Sequence, residues 1–161
     1  MANVWLEHRS SIAGLFELTS FKIWDSEGPE RTLISQPNGP APLGRSIITP
    51  EGFSSAHNVN PQTLKRYHDV SLPTAPDAEL AEILRSVSHY CGPVQLFEEA
   101  DGSFRLEITV EAASDPQRLG SIQKRNLRYF EEDGKATMLL KPADPYYQKV
   151  RPTPLKNINL V

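Results

Sequence analysis

The stretch from Gln36 to His57, QPNGPAPLGRSIITPEGFSSAH, constrains the fold more than any other part of the chain. Pro37, Pro40, Pro42 and Pro50 keep helix out of it, and Gly39, Gly44 and Gly52 stand where a backbone turns sharply or lets another approach. Between them, Arg45 to Thr49 and Phe53 to Asn58 read as two antiparallel strands joined by the turn Thr49-Pro50-Glu51-Gly52.

The rest of the chain extends this reading. Ser11 to Trp24 is rich in β-branched and aromatic residues and reads as a long strand entered at Gly14. A short strand is expected at Arg31 to Ser35, and Asn60 to Thr74 reads as a connection with at most a helical turn near Gln62 to Tyr67. Helical spacing of Leu80, Ile83, Leu84 and Val87 predicts one helix from Pro76 to Tyr90. Thr74 is its expected cap, Gly92-Pro93 its stop, and one apolar stripe should pack on a sheet.

Beyond the helix, strands are expected at Val94 to Glu99, Phe104 to Ala112, Ser121 to Phe130 and Ala136 to Lys141, with Asp101-Gly102 and Asp133-Gly134 as hairpin turns. The proline-rich tail over 142–161 could supply a closing strand at Leu155 to Val161. Seven or eight strands and one helix in a single domain over 1–161 point to an all-β fold. The expected form is a closed antiparallel barrel with an internal ligand cavity, since closure removes exposed edges.

Composition removes whole classes of function. A net charge of -3, with 17 basic and 20 acidic residues, gives no basic footprint for nucleic acid or an anionic membrane. No apolar run reaches the roughly 20 residues of a membrane span. The single Cys91 forms no internal disulfide and the N-terminus lacks a secretory core, so a cytoplasmic setting is expected. His8, His57, His68 and His89 lack ligand spacing, and neither a nucleotide-cradling glycine loop nor a nucleophile elbow is present; no metal and no cofactor are expected.

Several motifs together resemble the small lipocalin-like domain proteins of bacteria and filamentous fungi. They are Gly14, Phe16, Leu18 and Ser20; Pro37, Gly39, Pro42, Gly44, Thr49, Gly52 and Ser55; Tyr90, Gly92 and Pro93; and Ser114, Pro116, Gly120, Gln123 and Arg125. Two positions depart from the family pattern: Phe16 stands where tryptophan is usual, and Thr109 stands near a frequent histidine. The resemblance implies a lipocalin-like barrel that binds a small hydrophobic or aromatic molecule. In fungi it implies a place in natural-product pathways, where related small barrels include cofactor-free cyclases and Diels-Alder-type pericyclases.

Arg125 is the first candidate for chemistry, because Gln123, Arg125, Leu127 and Tyr129 share one strand face. A fixed cation there could hold a carboxylate, phenolate or polarised carbonyl; the competing reading pairs it with an interior carboxylate or backbone carbonyls. On the first strand Phe16, Leu18, Ser20, Lys22 and Trp24 share a face, making Lys22 a candidate base or Schiff-base former and Trp24 a stacking platform, against a solvent-facing lysine and a packing tryptophan. His57 is the best-placed histidine for a general base, with Ser55 beside it, against a surface placement. The function expected is a cofactor-independent isomerase or cyclase acting inside the barrel, with a non-catalytic carrier of a small lipophilic molecule as the alternative. Association into a homodimer is left open.

Overall fold

The computed structural model describes residues 1–26, 29–64, 71–132, 134–143 and 158–160. A short helix, α1 (Trp5–Ile12), precedes β1 (Gly14–Glu17), β2 (Phe21–Trp24), β3 (Leu33–Ser35), β4 (Leu43–Ile48) and β5 (Phe53–Val59). Helix α2 (Asp77–Ser86) follows. Then come β6 (Val87–Glu98), β7 (Phe104–Thr109), β8 (Ala112–Ala113), β9 (Ile122–Glu132), β10 (Lys135–Pro142) and β11 (Ile158–Leu160).

Every strand pairing is antiparallel, along the path β1-β4-β5-β6-β7-β9-β10-β11-β2-β3, with β8 beside β6. The sheet curls into an open half-barrel, which corrects the closed barrel expected from the sequence. Among the described residues no pairing joins β1 to β2 or β3, and the expected long first strand is two strands. β1 pairs with β4 at one end of the path, and β2 pairs with β11 and β3 at the other. The chain passes between them through Leu18, Thr19 and Ser20, outside any strand.

β6 is the backbone of the fold. Its first half pairs with β5 and its second with β7, and the change of partner falls at Gly92-Pro93. A Cβ on Gly92 would lie 1.8 Å from the Thr109 carbonyl oxygen, so only glycine fits the crossing. Leu96, Leu106, Ile108, Val110 and Leu127 form the centre of the core beside it.

Three local readings are corrected. Residues 5–12 are helical, with Trp5 and Ile12 buried at the spacing of two turns. The Trp5 indole N–H donates to the Pro50 carbonyl at 3.1 Å and lies over Gly52, whose φ of 87° only glycine adopts readily. Helix α2 ends at Ser86 rather than Tyr90, because pairing with β5 draws the β-branched and aromatic run from Val87 into a strand. It has no side-chain cap, Thr74 lying in a 3-10 turn ahead of it, and its expected apolar stripe is poorly covered, with Leu84 62% exposed. Most of the turn expected near Gln62 to Tyr67 lies outside the described residues, as does 144–157 of the tail; within the expected Leu155 to Val161 strand, β11 pairs with both β10 and β2.

Candidate functional site

The concave face can be read from register. Gln123 of β9 lies opposite Ile108, Arg125 opposite Leu106, and Leu127 opposite Phe104 on β7. On the other flank Arg125 faces Pro142, Leu127 faces Leu140 and Tyr129 faces Met138 on β10. Beyond β7, Leu106 and Ile108 face Leu96 and Val94 of β6. Directly opposed residues in an antiparallel pair point to the same side, so Arg125 sits in a row of buried apolar side chains.

Arg125 is 8% exposed. Its Nη1 donates to the Lys124 carbonyl at 2.9 Å and its Nη2 to Gln123 Oε1 at 3.2 Å. The Gln123 amide nitrogen donates in turn to Ser121 Oγ at 2.9 Å, and that hydroxyl donates to the Arg118 carbonyl at 2.7 Å. Ser121, Gln123 and Arg125 thus form a polar ladder of alternate residues that fixes the amide and the guanidinium. A guanidinium has five N–H donors, and two are engaged here, which leaves three. The Nε–H is among them, buried and without a partner among the described residues. Among the described residues no carboxylate pairs with Arg125.

The other candidates are divided between the two faces. Phe16 and Leu18 are half-buried on the concave side, Phe16 packing against the core and Leu18 lying over Gly44. The irregular stretch at Leu18 to Ser20 breaks the alternation that the sequence reading carried through to Trp24. Ile23 is the buried residue of β2, so Lys22 and Trp24 take the side opposite to it, and Arg31 lies 4.2 Å over the Trp24 ring. Ser20 is half-buried between the two strands.

On β5 the buried residues are Ser54 and Ala56, which turns Ser55 and His57 to the convex face. There Ser55 Oγ and His57 Nε2 are 3.0 Å apart, and the His57 ring stacks on His89, its register partner, at 5.7 Å. The structure therefore brings Arg125 and Gln123 together and sets His57 and Ser55 on the far side of the sheet from them.

Two features escape a reading of the sequence. Ser121 orients Gln123, a role signalled only by polar residues at alternate positions 121, 123 and 125. The second is a groove of about 660 Å³ where α1 meets β9 and the β6–β7 turn, lined by His8, Ile12, Ser103, Phe104, Leu127 and Tyr129 among others. Tyr129 is 40% exposed along its wall, and His8 meets the edge of Phe104 at 4.7 Å. The Trp5 to Ile12 spacing was the available signal for the helix that builds it. In the turn below, Asp101 accepts from the Ser103 hydroxyl and amide, the hydroxyl first in effect, and its carboxyl is held below the ordinary aspartate range.

Residues 13–149 match the lipocalin-like domain. The chain belongs to that family. No curated protein and no solved structure matches it. A lipocalin-like domain fits a small-molecule binding or cyclase role in general, and such folds generally bind small hydrophobic ligands. Among the described residues no group of three or more His, Cys, Asp or Glu could hold a metal ion, and no helix is long and apolar enough to cross a membrane.

Proposed function

We propose that this lipocalin-like protein binds a small, mostly apolar molecule against its concave face, with one oxygen of that molecule on Arg125. The supporting observation is a guanidinium held in an apolar row with three N–H donors unengaged. A buried donor without a partner costs free energy, and a ligand oxygen removes that cost while the half-buried Leu140 and Pro142 beside it take its hydrocarbon part.

The finer reading is a cofactor-independent isomerase or cyclase of secondary metabolism, of the Diels-Alder type. The Ser121–Gln123–Arg125 ladder favours it, because donors fixed in advance stabilise charge that develops on a substrate carbonyl without reorganising during reaction. Confinement in a folded, near-attack geometry supplies the remaining rate. Bonds then rearrange within one molecule, so no atom is gained or lost and no nucleophile is consumed.

The test is native mass spectrometry of the purified protein after exposure to an extract of small metabolites, with chromatography of what is released. A retained molecule that leaves unchanged supports binding alone. An isomer of equal mass, absent from protein-free controls and lost in Arg125→Ala, supports the cyclase. Retention of nothing, or retention indifferent to Arg125→Ala, overturns the assignment of the site.

A further inference from the structure

We infer that the group recognised at Arg125 is a carboxylate, so that the ligand is an apolar carboxylic acid bound as its anion; this rests on the concave-face binding reading above. The argument begins with charge rather than with hydrogen bonds. Arg125 is a cation more than nine-tenths buried, and its two partners, a backbone carbonyl and a side-chain amide, are both neutral. Buried cations in proteins are ordinarily matched by a carboxylate, since neutral acceptors satisfy N–H groups but leave the charge uncompensated.

Among the described residues no such match borders it. The side chains bordering Arg125 on the concave side are Gln123 and Leu127 along β9, Leu106 and Ile108 on β7, and Leu140 and Pro142 on β10. Glu98, opposite Phe104 at the end of β6, is exposed. Glu107, the acidic neighbour of Leu106, alternates to the convex side and pairs there with Arg105 at 3.1 Å.

The shape of a guanidinium favours the same group. Each Nη donates to one neutral acceptor, and Nε–H is buried without a partner among the described residues, so the planar fork is only partly used. Two parallel N–H···O bonds to the two oxygens of a carboxylate use that geometry, whereas a ketone, ester or amide carbonyl presents one oxygen and no charge. Long-range attraction does not account for anion binding here, because the chain carries a net charge of -3. Selectivity must come from the buried contact itself.

The experiment compares acids with amides of the same shape: dansyl-undecanoate against its primary amide by fluorescence titration, and 2-naphthoate against 2-naphthamide by calorimetry. Each acid should bind roughly 10- to 100-fold more tightly than its amide, the range expected for a charge-assisted hydrogen bond in place of a neutral one. Raising sodium chloride from 50 to 500 mM should leave that preference largely intact, since a buried pair is poorly screened. Arg125→Gln should bring the ratio close to one by weakening the acid alone.

Arg125→Lys, which keeps charge but loses the fork, should lower the ratio several-fold and decides the matter if the glutamine variant does not fold. Equal binding of acid and amide by the unaltered protein, or a ratio that survives both substitutions, overturns the carboxylate while leaving concave-face binding standing. Failure of all four probes to bind overturns the binding reading, and this inference with it.

Discussion

Arg105 and Arg125 lie on neighbouring strands, one residue out of step, and the sheet treats them in opposite ways. Arg105, opposite Asn126, emerges on the convex side, with Glu99 at 3.1 Å from Nη1, Glu107 at 3.1 Å from Nε and the Phe97 ring at 5.3 Å. Its side chain is 23% exposed, and its Nε lies within ion-pair range of Glu107 without the alignment of a hydrogen bond. Arg125, opposite Leu106, turns inward to a carbonyl and an amide. A cation that belongs to the architecture is neutralised by the architecture. One that is buried deeper and left with neutral neighbours is the one proposed above to receive a ligand oxygen.

The sharpest way to strain this comparison is Leu106→Ala. Leu106 is 1% exposed, lies directly across from Arg125 and is the chain neighbour of Arg105, so its loss opens a cavity against the inward guanidinium. Urea denaturation should show a loss of about 2–5 kcal/mol. A loss near zero would mean that the concave row is loosely packed and that Arg125 is not sequestered.

Next in size are the arginines themselves. Arg105→Leu should cost about 1 kcal/mol, the scale of partly exposed ion pairs. Arg125→Leu should change stability by no more than about 1 kcal/mol in either direction, because replacing a poorly compensated buried charge with an apolar side chain is often neutral or favourable. A cost of several kcal/mol for Arg125→Leu would make that residue structural and dissolve the contrast.

The smallest effect concerns the turn that joins β6 to β7. The Ser103 hydroxyl, with the Ser103 amide, favours the ionised form of Asp101 in the folded chain and holds its carboxyl low. Its contribution is therefore present at neutral pH and is lost as pH falls through the depressed folded value. Proton NMR of the Ser103 amide should follow that acid transition, and Asp101→Asn should remove it while Gln123 and Arg125 resonances stay unchanged. Movement of the β9 signals with the turn would show that the two faces are coupled.

The strands built by local turns were legible in the sequence. Thr49 to Gly52, Asp101-Gly102 and Gly134 mark the hairpins, and Gly52, Gly102 and Gly134 adopt the positive φ that such turns use. In the strand expected from Phe104, the apolar residues Leu106 and Ile108 alternate with Arg105, Glu107 and Thr109, and they are the buried ones. What was not legible depends on partners distant in the chain. The period of Leu80 to Val87 suits a helix, yet pairing with β5 claims Val87 onward.

At the site, Arg125 and Gln123 could be placed on one face by alternation alone. Lys22 and Trp24 could not, because the irregular stretch at Leu18 to Ser20 interrupts the alternation that would carry the face of Phe16 through to them. His57 depended on which face of β5 is buried, and Ser54 and Ala56, neither strongly apolar, gave the sequence little by which to decide.

The passage of the chain through Leu18 to Ser20 also bears on the order of folding. The β4–β5, β6–β7 and β9–β10 pairs join segments adjacent in the sequence, and the entropy lost in bringing them together is small. β2 and β11 come from opposite ends of the chain, and for an unfolded polymer their meeting is the costliest loop closure in this sheet. It becomes inexpensive only after β10 is in place to present β11 to β2. The strands that carry Arg125 and its surrounding row are therefore a scaffold assembled from local pairings, and the junction between the ends of the chain is the last contact that its topology makes cheap to form.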